Sequence, residues 1–166
     1  MNLLKSTIFS LFLIILPAKL GASLNSNLQF SQISTKEGLS QNTVRTILED
    51  KKGFIWAGTL DGLNRYDGYS IIAYKPQLNN PNSLVDHRVK NVYQDKDGYL
   101  WIKTYKNEFS CYNPVLDSFI DYHLSGTLDG NIYFVNYFEA SNGEIWLWGN
   151  PNGYLLRINK RGEKFT

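Results

Sequence analysis

Apolar and polar residues alternate along most of this chain in short runs broken by Gly and Asp. Such period-two runs predict half-buried β-strands. Val44 to Glu49 alternates and is rich in β-branched residues, which predicts a first strand. Asp50 to Gly53 supplies turn chemistry, and Gly53 is free to take positive φ. Phe54 to Thr59 reads as a second strand, Asp61-Gly62 as the next turn, and Leu63 to Tyr66 as a third strand. Asp67-Gly68 is a two-residue hairpin signal, and Ser70 to Tyr74 reads as a fourth strand.

The same pattern returns downstream. Trp56, Trp101 and Trp146 stand 45 residues apart, as do Gly53, Gly98 and Gly143. The copies read DKKGFIWAGT from Asp50, DKDGYLWIKT from Asp95 and ASNGEIWLWG from Ala140. Four short antiparallel strands in about 45 residues is the dimension of a β-propeller blade. The expected fold is therefore all-β, a partial propeller of about three four-stranded blades. Blade 1 spans 39–83, blade 2 spans 84–128, and an incomplete blade 3 spans 129–166. A blade must pack on its neighbours, so the repeated Trp reads as scaffold and the repeated Gly as turn. Residues 24–38 are a lead-in, and Leu28 to Ile33 within it is a possible ring-closing strand. A closed ring needs roughly four to eight blades. The chain thus reads as the N-terminal piece of a longer protein.

The first 23 residues break the pattern. Met1 to Lys5 carries one positive charge, Ile8 to Leu16 is apolar apart from Ser10, and Gly21-Ala22-Ser23 is small. This is the three-part signature of a secretory signal peptide, expected to be cleaved after Ala22 or Ser23. Its apolar core is too short for a bilayer span of about 20 residues.

Composition sharpens this reading. Trp, Tyr and Phe number 4, 11 and 9, against one Met and one Cys. A single Cys excludes an internal disulfide framework. The formal charge of +2 comes from Lys5 and Lys19 in the first segment. Without them the chain is neutral, which argues against nucleic acid as a partner.

The stretch from Glu37 to Val44 (EGLSQNTV), followed by Asp50-x-x-Gly53-Phe54-Ile55-Trp56-x-Gly58-Thr59-x-x-Gly62-Leu63-Asn64-Arg65-Tyr66-Asp67-Gly68, resembles the blade motif of two-component regulator propellers. That resemblance implies the N-terminal periplasmic region of a hybrid two-component sensor histidine kinase of the Bacteroides type. It implies a parent in the inner membrane, a homodimer, and an oligosaccharide ligand. Kinase chemistry is not carried by these residues: no G-x-x-x-x-G-K loop occurs, and neither His87 nor His123 lies in a helical phosphoacceptor context. The expected function is ligand sensing without catalysis by this chain. A truncated propeller lyase or glycosidase and a free-standing interaction protein are the alternatives.

Other candidate chemistry is sparse. Asp95-Lys96-Asp97-Gly98 is similar to part of a calcium loop but lacks its distal ligands, and reads as a turn. His87 and His123 have no metal-ligating cluster beside them, so neither a metal nor a cofactor is expected. Cys111 falls on the third strand of blade 2, where packing is expected. Arg65, Arg88 and Arg157 are ligand-binding candidates, because guanidinium offers bidentate hydrogen bonds to carboxylate or sulfate.

Overall fold

The computed structural model describes residues 29–106, 108–122, 133–150, 153–158 and 164–165. The chain divides into two units, Met1–Ser31 and Gln32–Thr166. The signal segment and His123 lie outside the described residues. Residues 29–33, the described part of the expected ring-closing strand, form no strand.

The second unit is all-β, with no helix among the described residues. The first sheet holds β1 (Val44–Glu49), β2 (Ile55–Thr59), β3 (Gly62–Tyr66) and β4 (Ile71–Tyr74). The second holds β5 (Val89–Gln94), β6 (Leu100–Thr104), β7 (Phe109–Asn113) and β8 (Ser118–Tyr122). The third holds β9 (Tyr133–Glu139), β10 (Ile145–Asn150), β11 (Tyr154–Ile158) and β12 (Lys164–Phe165). Each sheet is antiparallel and ordered as the chain runs. β12 is a two-residue fourth strand paired with β11.

Turn chemistry sets the register. Thr59 pairs with Gly62, so Leu60-Asp61 is the two-residue hairpin loop. The next loop is longer than the Asp67-Gly68 signal suggests. Tyr66 pairs with Ile71, which leaves four residues between the strands. The Asp67 carboxylate accepts the backbone N–H groups of Tyr69 and Ser70 at 2.8 and 2.7 Å and closes that wider turn.

The first two sheets meet where β1 and β2 touch β5. Two apolar layers fill the space between sheets. Trp56 and Leu63 pack against Val92, Leu100, Ile102 and Tyr112. Trp101, Phe109 and Cys111 pack against Ile145, Leu147 and Ile158. Every residue of β6 is buried, because alternate side chains face different neighbours and neither face meets water. Burying one Trp is worth about 4–6 kcal/mol before the entropy of ordering is deducted. The outer faces are apolar too. Ile47 is exposed on the first sheet, as are Phe138, Trp148 and Leu155 on the third.

Gly58 marks the closest approach. A Cβ there would lie 2.5 Å from Val89 Cγ1 and 2.6 Å from Thr46 Cγ2. Only hydrogen fits between β1, β2 and β5 at that point.

Candidate functional site

The repeated Asp and Trp form one device. Asp95 Oδ1 accepts the N–H groups of Asp97 and Tyr99, each at 2.9 Å. Its Oδ2 accepts the Trp101 indole N–H at 3.0 Å. Asp50 does the same for Lys52, Phe54 and the Trp56 indole, at 2.8, 3.0 and 2.8 Å. One carboxylate thus closes the turn and orients the Trp that packs on the next sheet. In the third copy Ala140 offers no such acceptor, and Asn142 Oδ1 caps the turn at Glu144 N–H alone. Asp95 is 1% exposed, so this acidic turn is committed to scaffold.

The position opposite each Trp alternates in kind. Trp56 pairs with Arg65, Trp101 with Cys111 and Trp146 with Arg157. Cys111 is fully buried. Arg157 lies 5.8 Å over the Trp146 ring and donates to Glu144 Oε1 at 3.2 Å. Arg65 lies over three rings, Phe54 at 5.2 Å and Trp56 and Tyr74 at 5.7 Å.

Arg65 also anchors a polar junction between the first two sheets. Its Nη1 donates to the Tyr112 hydroxyl at 3.0 Å and lies 3.5 Å from Asp117 Oδ1. Tyr74 and Tyr112 both donate to Asp117 Oδ1, at 2.8 and 2.5 Å. These bonds, the Tyr112 one foremost, hold the Asp117 carboxyl below its usual range. Burial, reinforced by the bond to Asp117, pushes both phenols up. Asp117 sits at φ 49, a left-handed position that Asp tolerates. Tyr74, Tyr112 and Asp117 were not singled out by sequence. Tyr112 recurs as Tyr66 and Tyr74 as Tyr122, but the meeting of Tyr74, Tyr112 and Asp117 depends on how two sheets pack.

A polar cleft adjoins this junction, lined by Tyr74, Lys75, Gln77, Asn80, Asn82 and Asp117. Its groups mostly brace one another. Lys75 Nζ donates to Asp61 at 2.6 Å, Asn80 Nδ2 to Gln77 Oε1 at 2.7 Å, and Gln77 N–H to Ser83 Oγ at 2.9 Å.

Arg88 stands apart from Arg65 and Arg157. It lies beside the buried Asp86, with Nε 3.9 Å from Oδ2, while His87 Nδ1 is 3.2 Å from Oδ1. The three arginines suggested by sequence therefore occupy three separate places, each beside a carboxylate. Among the described residues, no group of three or more His, Cys, Asp and Glu is arranged to hold a metal ion. No helix among them is long and apolar enough to cross a membrane.

Comparison with known proteins agrees with this geometry. Residues 38–61 and 83–106 match the family model described as the two component regulator propeller. A segment of 57 residues, 34% of this chain, is 46% identical to histidine kinase P4 of Formosa agariphila and spans 4% of that kinase. The extracellular domain of a hybrid two component system from B. thetaiotaomicron superposes with a TM-score of 0.67. It is 26% identical and covers 82% of this chain and 19% of its own. A second such domain from the same organism gives a TM-score of 0.54 at 26% identity, covering 72% of this chain and 17% of its own. Virginiamycin B lyase of Staphylococcus aureus shares the fold, with a TM-score of 0.56 at 19% identity, covering 74% of this chain and 40% of the lyase.

Proposed function

This chain carries two-component regulator propeller repeats at residues 38–61 and 83–106, and from that premise we propose that it is the extracytoplasmic ligand-sensing part of a hybrid two-component sensor. The observation that carries this reading is the superposition of 82% of the chain on the extracellular domain of such a system. Residues 1–23 direct export to the periplasm, as the charged start and the apolar run from Ile8 to Leu16 suggest. The ligand is an oligosaccharide. The partners are further repeats of the same kind, in a homodimeric parent held in the inner membrane. This chain performs no catalytic step. Its ligand binds one arrangement of the ectodomain better than another, and that difference in affinity is what a kinase across the membrane reads. The likeness to a lyase is one of fold and supports no enzymatic reading.

The test of the address is a fusion of the full chain to alkaline phosphatase, which is active only outside the cytoplasm. The fusion should be active in cells, and the same fusion lacking residues 1–23 should be inactive. An inactive, stably expressed full-length fusion would remove the extracytoplasmic reading.

A further inference from the structure

Each sheet carries a β-bulge at the same place on its first strand. In β1 the register steps between Val44 and Thr46, which leaves Arg45 as the extra residue. In β5 it steps between Val89 and Asn91, which leaves Lys90. In β9 the step falls between Phe134 and Asn136, which leaves Val135. A bulge re-aims the side chain it carries. The first two sheets use it to present cations.

Both cations converge on one ring. Arg45 Cζ lies 5.8 Å and Lys90 Nζ 5.9 Å from the centre of Tyr105, just beyond the end of β6. Tyr105 is 39% exposed, and Arg45 and Lys90 are exposed. Lys103, two residues before Tyr105, is only 4% exposed and sits opposite Asn91 in the ladder. Burial, and secondarily the charge of Lys90, lowers the Lys103 ammonium to about 8. Arg45, Lys90 and Lys103 make no ion pair with the described residues. Elsewhere Arg65, Arg88 and Arg157 each stand beside a carboxylate. Like charges gathered without a counter-ion destabilise a fold unless something else gains from them.

We propose that Arg45 and Lys90, gathered about Tyr105, together with Lys103, whose charge feels that of Lys90, are a binding site for an anionic saccharide, one that carries carboxylate or sulfate groups. The guanidinium and the two ammonium groups supply charge-assisted hydrogen bonds to the anion. Tyr105 positions two of them and offers its hydroxyl to the sugar. The site spans the first two sheets and ends where Val135 takes the bulge position in the third. The proposal rests on the oligosaccharide reading above and adds the charge of the sugar and its place. Neutrality of the chain beyond residue 23 sets it apart from a general polyanion surface.

The experiment is calorimetric titration of the full chain with four probes: tetragalacturonate, a sulfated galactotetraose, cellotetraose and inorganic sulfate. At least one of the two anionic tetrasaccharides should bind. Its affinity should fall at least tenfold in Arg45→Ala and in Lys90→Ala, recover in Lys90→Arg, and weaken as salt rises. Both alanine variants remove exposed side chains, so near-UV circular dichroism should show an unchanged fold. Binding of cellotetraose alone, or anionic binding indifferent to both variants, would overturn the anionic site and leave the oligosaccharide reading standing. Binding of sulfate without either tetrasaccharide would overturn the site as a saccharide site. Absence of all saccharide binding by folded protein would overturn both readings.

Discussion

Asp95→Ala copies into the second repeat what the third already has at Ala140. The substitution deletes acceptors for two turn amides and for the Trp101 indole. Trp101 is fully buried, so its N–H has no route to water once the carboxylate is gone. A hydrogen bond to a charged acceptor is worth about 1.5–3 kcal/mol, and an orphaned buried donor costs about 1–3 kcal/mol. The turn amides lie near the surface, where water replaces part of their loss. The net expectation is a loss of about 2–4 kcal/mol. Urea denaturation followed by Trp fluorescence reads this as a midpoint lowered by about 1–2 M. The reverse change, Ala140→Asp, meets the same backbone turn: Gly143 N–H donates to Ala140 O at 2.8 Å, as Gly53 N–H donates to Asp50 O at 2.9 Å. It should stabilise by up to about 1 kcal/mol. A loss below about 0.5 kcal/mol for Asp95→Ala would refute the clasp as a stabilising device.

Four further outcomes follow from the same geometry. Gly58→Val should destabilise by about 1–3 kcal/mol, read in the same denaturation assay, because its side chain would meet Val89 and Thr46. Lys103 is lowered to about 8 from 10.5, so the unfolded chain binds more protons between those values. Stability should therefore rise with pH from about 8 to 10.5, and Lys103→Met should abolish that rise in melting curves against pH. Asp117 is lowered, so its contribution is present above its ordinary value of 3.8 and disappears as pH falls through its folded value. Asp117→Asn should lower the melting temperature at pH 7, with the gap to the parent closing in strong acid. Leu155 is 60% exposed on the outer face of the third sheet, so Leu155→Glu should change stability by less than about 0.5 kcal/mol and raise the concentration at which light scattering begins.

The strands and the repeat were legible because alternation and turn residues act locally. Val44–Glu49 is a strand as its pattern predicts, and the 45-residue Trp spacing marks the same step of each sheet. The wider loop after Tyr66 was not legible, because the Asp67 side chain, rather than the Asp-Gly pair, closes it. Among site residues, the scaffold reading of Asp95 could be drawn from turn chemistry, but its grip on the Trp101 indole needed coordinates. Arg65, Arg88 and Arg157 are alike as candidates in sequence, yet each stands beside a different carboxylate, Asp117, Asp86 and Glu144. Arg45 and Lys90 are also 45 residues apart, a signal available in the sequence. It carried no meaning there, because a bulge exists only once two strands have paired.

We propose above all that this chain binds an extracytoplasmic saccharide. Thermal unfolding of the full chain against neutral and acidic oligosaccharides tests it most directly, since a ligand that binds only the folded state raises the melting temperature with its concentration. The account predicts a saturable rise with at least one oligosaccharide. Melting curves unmoved by every saccharide, in protein whose near-UV spectrum shows packed aromatic residues, would contradict it.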